Sequence, residues 1–237
     1  VVAMFEEFKE LTPIGEKGDE IYFRVANLYL DLSLPDEAEP ILQHLTKFKL
    51  QGEQKANAGL KLCSIYVDKA KWDSALTALT TSEAENVPEA VVCERDELRA
   101  EILLNQEHYD HVLKMLSDKT DPASQRLKAR AHSGLNDWGS AQKIYEDLLR
   151  ALPEGEPLSL ESQHDVLSYV ISLVFEKDFD TLKVVNEKYG EDMHKGKFGQ
   201  AFDLVSSSIS ADKIVDLAKD VTELTELYQQ YKSKYLS

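Results

Sequence analysis

A short pattern of apolar and polar positions recurs five times along the chain. In each copy a turn residue is followed by a bulky ring or a proline, and three residues later by a small or aliphatic residue, which we call the pivot residue. The five pivot residues are Ala38, Ala75, Val112, Ala141 and Leu182. Their spacings of 37, 37, 29 and 41 residues are typical of repeat proteins in which each unit is a helical hairpin that buries its apolar face against its neighbours.

Two further positions keep a fixed distance from the pivot residues. Twelve residues before them stand the mostly small crossing residues Ala26, Cys63, Ala100, Ala129 and Val170. Nine residues before them stand the mostly large residues Tyr29, Tyr66, Leu103, His132 and Leu173. Because two helices approach to about 8–10 Å only where side chains are short, the crossing and pivot residues predict where the two helices of each hairpin meet.

The second helix of each hairpin has its own apolar stripe. Four residues after the pivot residues come Leu42, Leu79, Leu116 and Tyr145. In the fifth unit Asn186 interrupts this stripe, which is predicted to run through Leu182, Val185 and Tyr189 instead. The carboxylates that fall in the first turn of a second helix, where they favour the positive end of the helix dipole, are Asp36, Asp73, Asp110 and Asp180. Gly134 is predicted to end a first helix in a left-handed turn, and Pro153 to follow the end of a second helix.

These residues resemble the tetratricopeptide repeat family over most of the chain. The resemblance lies in the small crossing residue, the large residue beside it and the pivot residue of each unit. It implies an all-α fold, an α-solenoid of about five tetratricopeptide-like hairpins with a long C-terminal capping helix. The stretch from Ile21 to Arg150 is also similar to the repeat regions of long alphaproteobacterial tetratricopeptide proteins, which implies a bacterial origin.

The two ends of the chain differ from the array between them. Residues 1–12 are predicted to be the second helix of a truncated preceding repeat, because Val1 lies 37 residues before Ala38. Without a first helix, this segment would expose Met4, Phe5, Phe8 and Leu11, so we expect a fragment of a longer protein that self-associates through its N-terminal helix. Residues 19–190 are predicted to form the array and residues 191–237 the connecting and capping helices.

Within the last region, two helices are predicted from the spacing of apolar residues. The residues that fit a short connecting helix are Phe198, Ala201, Phe202 and Val205. From Ser210, a candidate N-cap, apolar residues recur every three or four positions as far as Tyr235. This amphipathic pattern predicts the long capping helix.

The composition narrows the range of partners. The formal net charge of −16 opposes binding to nucleic acid and to anionic lipid, since both are bound through Lys and Arg. No segment approaches the roughly 20 apolar residues of a membrane span, so no direct membrane insertion is expected within this sequence. The two cysteines, Cys63 and Cys93, are interpreted as packing residues and not as a disulfide. The cytoplasm and the periplasm both stay open as compartments.

Candidate chemistry is sparse. His108, Asp110 and His111 form the most metal-like cluster, but they occupy the turn pattern that Lys71-Trp-Asp73-Ser74 fills in the preceding unit without a ligand pair. No glycine-rich phosphate loop or nucleophile elbow is present. The many carboxylates show the spacing of a solvated face and not that of a general acid and base across a cleft. We therefore expect no metal, no cofactor and no enzymatic activity.

A binding surface is expected on the concave face that the first helices of a solenoid form. The residues predicted to line it, called here the inner-face residues, are Phe23, Asn27, Leu30, Asn57, Leu60, Ser64, Glu97, Glu101, Arg126 and Arg130. In the fifth unit we expect His164, Leu167, Ile171 and Val174 on the same face. Glu97 and Glu101 can alternatively form ion pairs with Arg126 and Arg130 between neighbouring helices.

The resemblance also bears on how a ligand would be held. Family members that grip a terminal carboxylate use Lys, Arg and Asn on successive first helices. Here Asn27 matches and Lys61 lies close to a match, but the third unit offers Glu, so such a clamp is not expected. We expect a non-enzymatic scaffold that binds a peptide or protein segment. The alternatives are a structural arm of a larger envelope or secretion-type protein, and a ligand-sensing regulator of the tetratricopeptide type.

Overall fold

In the computed structural model, the regular secondary structure of the protein is α-helical throughout the described residues, which are 13–153 and 155–206. The predicted all-α class is thus confirmed for this part of the chain. Eleven helices are formed there: α1 Glu16–Asp31, α2 Pro35–Phe48, α3 Gly52–Asp68, α4 Trp72–Thr81, α5 Glu89–Asn105, α6 Tyr109–Met115, α7 Pro122–Gly134, α8 Trp138–Arg150, α9 Leu160–Glu176, α10 Phe179–Lys195 and α11 Gly199–Ser206.

The chain divides into two compact units between His108 and Tyr109. In the N-terminal unit, helices α1 to α5 each contact the next helix along the chain, and α3 also contacts α5. In the C-terminal unit, α6 to α11 follow the same rule, and α9 also contacts α11. The first and second hairpins (α1–α2 and α3–α4) therefore lie in one unit and the fourth and fifth (α7–α8 and α9–α10) in the other. The third hairpin is divided between the units.

The packing positions predicted from the repeat are buried. All five pivot residues and all five crossing residues have 0% of their surface exposed. The stripe residues Leu42, Leu79, Leu116 and Tyr145 are also buried, as are Val185 and Tyr189 in the fifth hairpin. Burial at these positions agrees with the prediction that they face the partner helix of the hairpin.

The turn between the two helices of a hairpin is the same in all five copies. Five residues before each pivot residue the backbone is left-handed, with φ between 51° and 61°, at Ser33, Ala70, Glu107, Asn136 and Lys177. The next amide donates to the carbonyl oxygen five residues earlier, as from Leu34 to Tyr29 at 2.8 Å and from Asp178 to Leu173 at 2.9 Å. This pairing, with the shorter bond inside it, is a Schellman motif, which satisfies carbonyl groups at the end of the first helix.

The left-handed turn predicted at Gly134 is therefore placed at the wrong residue, because Asn136 adopts that conformation. Gly134 is the last residue of α7, and a Cβ there would lie 2.4 Å from the Tyr109 ring. Its small size permits the close approach of this ring.

The second helices begin at the ring or proline residue of the pattern, from Pro35 in the first hairpin to Phe179 in the fifth. The predicted carboxylates Asp36, Asp73, Asp110 and Asp180 lie in first turns, as expected. Asp137 and Asp178 are N-caps whose side chains accept hydrogen bonds from the amides of Ser140 and Thr181. Both the helix dipole and unpaired backbone amides favour a carboxylate at these positions.

The remaining predictions concern the chain ends and the cysteines. The predicted connecting helix is present as α11, on which Phe202 and Val205 are buried, but it begins after Phe198, which is buried directly before it. Residues 1–12 and the capping helix predicted from Ser210 lie outside the described residues. Cys63 is buried and Cys93 half-buried, and the two are not joined by a disulfide. Among the helices of residues 13–153 and 155–206, none combines the length and apolar character that a membrane crossing requires.

Candidate binding surface on the first helices

The inner-face residues all lie on first helices. In the N-terminal unit, α1 carries Phe23, Asn27 and Leu30, α3 carries Asn57, Leu60 and Ser64, and α5 carries Glu97 and Glu101. In the C-terminal unit, α7 carries Arg126 and Arg130. Because the residues of one helix are three, four or seven positions apart, each set lies on one side of its own helix.

Their exposure differs. Ser64 and Glu101 are exposed, while Phe23, Asn27, Leu30, Asn57 and Glu97 are half-buried. Leu60 is 6% exposed, so its side chain is packed beneath this surface and does not form part of it. The surface of the N-terminal unit therefore combines half-buried apolar groups on α1 with amides and a hydroxyl on α1 and α3 and carboxylates on α5.

One of these side chains has an unsatisfied polar atom. The Oδ1 atom of Asn27 is buried and has no hydrogen-bond partner among the described residues. A buried carbonyl oxygen without a donor costs about 1–3 kcal/mol. The Asn27 side chain is thus energetically unfavourable at this position on the α1 surface.

Arg126 is held by carboxylates of the following first helix. Its Nε lies 3.0 Å from Oδ1 of Asp165, its second terminal nitrogen lies 2.8 Å from Oδ2 of the same carboxylate, and its first lies 2.8 Å from Glu161. Asp165 is 1% exposed. Such a two-point pairing with a buried carboxylate fixes the guanidinium against α9.

The electrostatics of this cluster follow from burial. Burial raises the pKa of the Asp165 carboxyl, and Arg126 opposes that shift. Burial also lowers the pKa of the neighbouring His164 to about 4, assisted by the positive charges of Arg130 and Arg126. His164 is therefore neutral at pH 7, and its ring packs edge-on against Phe198 with the ring centres 5.9 Å apart.

The surface predicted for the fifth hairpin is wrong in part. Leu167, Ile171 and Val174 are 0%, 5% and 6% exposed, so they are not available to a ligand. They belong to a buried cluster that includes Phe202 and Val205 of α11, a helix that contacts α9. The short connecting helix therefore contributes to a core around α9 that the repeat pattern alone did not predict.

A buried guanidinium in the N-terminal unit was not predicted from the sequence. Arg95 of α5 is 7% exposed and donates to the carbonyl oxygens of Ala56 and Leu79 at 2.9 and 2.5 Å and to the Ser82 hydroxyl at 3.0 Å. Burial lowers the pKa of this guanidinium. One feature of the sequence could have indicated this site, namely the small residues of the preceding hairpin. They allow close packing beside Arg95, since a Cβ on Gly59 would lie 1.8 Å from the Ser82 Oγ.

The candidate metal cluster gains no support. His108 and His111 are both exposed. Within residues 13–153 and 155–206, no group of three or more His, Cys, Asp or Glu side chains is arranged to hold a metal ion. The absence of enzymatic activity and of cofactors stays a prediction.

Comparisons of the chain with protein-family models, with curated proteins and with solved structures gave no match. The resemblance to tetratricopeptide repeats therefore stays a prediction that rests on the repeat register. What the protein does has to be argued from the geometry of the hairpins and from the side chains on their first helices.

Proposed function

We propose that the chain is a non-enzymatic scaffold of the tetratricopeptide type, whose hairpins stack as an α-solenoid and bind a segment of another protein on the face of their first helices. The observation that carries this proposal is the identity of the five turns, each with a left-handed residue at the same distance from a buried pivot residue. Hairpins with one fixed geometry are the units from which solenoids are built.

Contacts between successive hairpins support regular stacking inside each unit. In the N-terminal unit, Lys69 lies 2.6 Å from Asp36 and Gln106 donates to Asp73 at 2.8 Å. Each contact joins the position two residues before one pivot residue to the position six residues before the next. In the C-terminal unit the same two positions are held by Gly139 and Glu176, and a Cβ on Gly139 would lie 3.6 Å from the Glu176 carboxylate.

The side chains of the N-terminal unit suit an extended segment. Phe23 and Leu30 offer apolar contact on α1, Asn57 and Ser64 offer hydrogen bonds on α3, and Glu101 offers an exposed carboxylate on α5. Because these groups stand on helices, little conformational entropy is lost when a ligand is bound. Main-chain groups of an extended segment are typical partners for such amide and hydroxyl side chains.

Site-specific photocrosslinking tests the binding surface. A photoreactive amino acid at Ser64, which is exposed on α3, is expected to capture a defined protein in cells of the source organism, and Glu101→Lys is expected to abolish that capture. The matched control carries the photoreactive group at Thr77, which is exposed on the second helix α4. Equal capture from both positions, or capture that is indifferent to Glu101→Lys, would contradict a site on the first helices.

Small-angle X-ray scattering tests the proposed architecture separately. A compact domain of 237 residues has a radius of gyration of about 18 Å. A stacked array of hairpins is expected to give a clearly larger value with an elongated distance distribution. A value near that of a compact domain would exclude the solenoid.

A further inference from the structure

A groove of about 460 Å³ lies in the first hairpin, between the beginning of α1 and the end of α2. Its volume falls in the range of pockets that bind small ligands or side chains, roughly 300–1,000 Å³. Apolar side chains and proline rings form most of its lining, which includes Pro13, Tyr22, Pro40, Ile41 and Leu45. The groove shares no residue with the inner-face residues, so binding here goes beyond the proposed scaffold function and is independent of it.

The two sides of the groove carry opposite charges. On the α1 side, Glu16 and Asp19 stand in the first turn of the helix. On the α2 side, Lys47 stands in the last turn, and Lys49 follows the helix as its C-cap residue. Asp19 and Lys49 both line the groove, and neither side chain forms an ion pair or a hydrogen bond within the described part of the chain. The groove therefore has an acidic side and a basic side.

An exposed aromatic side chain stands beside the basic side of the groove. Phe48 is the last residue of α2, and 64% of its surface is exposed. The centre of its ring lies 5.4 Å from that of His44, which lines the groove, and 5.1 Å from Nζ of Lys47. A large apolar side chain that stays so exposed next to an apolar groove is typical of an interaction surface.

The fifth hairpin shows that the corresponding place accepts aromatic rings. There, the residues that match part of the groove lining by their distance from the pivot residue are buried in one cluster with two phenylalanines. The matching residues are Val166, Tyr189 and Met193, and the phenylalanines are Phe198 and Phe202. A phenylalanine ring is thus a suitable occupant for the groove of the first hairpin.

We propose that the groove binds a second copy of this chain, with Phe48 of each copy in the groove of the other. In a dimer with two-fold symmetry, every contact between two different residues occurs twice. The acidic side of one groove then faces the basic side of the other, so Asp19 of each copy pairs with Lys49 of the partner subunit. This self-complementarity favours a second copy over an acidic or a basic partner, since either of these would meet a like charge on one side of the groove.

The net charge of the chain limits the strength of this dimer. Two copies that each carry a formal net charge of −16 repel each other at long range. The dimer therefore depends on the opposite charges that meet at the groove, since complementary charges fix the register of an interface. Because the surface is small, we expect a Kd in the micromolar range and a dimer fraction that rises with protein concentration.

The test measures the dimer of the full chain by sedimentation velocity over a range of protein concentrations. Phe48→Ser is expected to raise the Kd at least about tenfold, because it removes the ring that fills the groove of the partner subunit. Val184→Ser is the matched control, since Val184 is exposed to a similar extent on α10 of the C-terminal unit. The control is expected to leave the Kd unchanged.

Charge reversal tests the two-fold arrangement. Asp19→Lys and Lys49→Glu are each expected to raise the Kd at least about tenfold, because each variant sets like charges against each other twice. An equimolar mixture of the two variants is expected to form a mixed dimer with nearly the wild-type affinity, since both contacts again join opposite charges. Asp19→Lys also lowers the net negative charge, so a general charge effect would strengthen its association instead of weakening it.

Each other outcome decides against the proposal. A wild-type chain that stays monomeric at every concentration would show that the groove does not bind a second copy. A dimer that Phe48→Ser leaves unchanged would assign self-association to another surface, such as the N-terminal helix predicted from the sequence. Equal losses for Phe48→Ser and Val184→Ser would show a general effect of removing exposed apolar groups. If the two charge variants are folded by circular dichroism but do not associate when mixed, the two-fold pairing is excluded.

Discussion

Each unit contains a guanidinium that is largely withdrawn from solvent, Arg95 with 7% of the residue exposed and Arg126 with 20% of its side chain exposed, but the two have different partners. In the N-terminal unit, the hydrogen-bond acceptors of Arg95 are two backbone carbonyls and one hydroxyl, all of them uncharged. In the C-terminal unit, Arg126 is paired with the carboxylates of Asp165 and Glu161. Both arginines connect helices of successive hairpins. Arg95 does so through uncharged hydrogen-bond acceptors, and Arg126 does so through ion pairs.

The difference follows from what each arginine meets. Leu79 and Ser82 stand at the end of α4, where carbonyl groups point outward and the helix dipole is negative. Arg126 instead meets the beginning of α9, where Glu161 and Asp165 stand in and beside the first turn. We infer that the contribution of Arg126 to stability depends on the ionisation of its carboxylate partners, whereas the hydrogen-bond acceptors of Arg95 are uncharged.

The largest effect is expected from Arg126→Met. This change leaves the Asp165 carboxylate buried without its cation, which costs about 3–5 kcal/mol of unfolding free energy. Urea unfolding of a Trp72→Phe background, in which Trp138 reports on the C-terminal unit, measures the loss. The double variant Arg126→Met with Asp165→Leu is expected to recover most of it, and a loss below about 1 kcal/mol in the single variant would mean that the pair is solvated.

Arg95→Met is expected to cost less, roughly 2–3 kcal/mol, because it removes three buried hydrogen bonds of a charged donor but leaves no buried charge unpaired. Unfolding of a Trp138→Phe background, with Trp72 as the reporter, measures the effect in the N-terminal unit. The matched control is Arg99→Met, which removes a partly exposed ion pair with Glu83 at 3.0 Å. Since such pairs contribute about 0–1 kcal/mol, similar losses from both variants would contradict the burial of Arg95.

The stability of the C-terminal unit is also expected to depend on pH through His164. The pKa of His164 is lowered from 6.5 to about 4 in the folded state, so the unfolded chain binds the proton more tightly. The contribution of neutral His164 is fully present above about pH 6.5 and is lost as the pH falls towards 4. Between pH 7 and pH 5 we expect the C-terminal unit to lose about 2 kcal/mol of unfolding free energy.

His164→Leu is the variant that checks this origin. It is expected to flatten the difference between pH 7 and pH 5 when unfolding is followed through Trp138. His194→Gln serves as the control, because His194 is exposed and its replacement leaves His164 in place. An equally steep dependence in His164→Leu would assign the effect to another group.

The smallest effect concerns the turns, which are alike in both units. Ala70 has a left-handed backbone with φ of 51°, a conformation that costs roughly 1–2 kcal/mol for a residue with a Cβ. Glycine avoids this cost but loses more chain entropy on folding, so Ala70→Gly is expected to stabilise the N-terminal unit by about 0.5–1 kcal/mol. Asn136→Gly is expected to gain less in thermal unfolding, because asparagine tolerates the conformation. A loss of stability for Ala70→Gly would contradict the turn geometry.

Sequence reasoning found the features that depend on side-chain size in a fixed register. A crossing residue such as Ala26 and a pivot residue such as Ala38 are recognisable because close helix approach excludes larger groups. The left-handed residues were not recognisable, since Ser33 and Lys177 carry no local signal of positive φ and the fixed hydrogen bonds of the turn impose it.

The candidate surface was harder to predict than the core. Helical spacing was sufficient to place Ser64 and Glu101 on the exposed sides of α3 and α5. It could not reveal that Asp165 neutralises Arg126, because that contact joins residues 39 positions apart. Nor could it reveal the burial of Leu167, Ile171 and Val174, which lie in a core cluster shared with α11, a helix outside the repeat pattern.

The backbone-determined turn has a consequence for how such a chain tolerates insertions. From the large residue before the turn to the pivot residue, every copy has ten residues and the same turn hydrogen bond, so an added or deleted residue there would rotate the second helix by about 100°. Insertions and deletions are therefore expected to be tolerated in the loops between successive hairpins. An example is the loop between α4 and α5, where α5 begins eight residues after α4 ends. Each hairpin can then be moved, duplicated or exchanged as one unit, because changes in chain length are confined to the loops between hairpins.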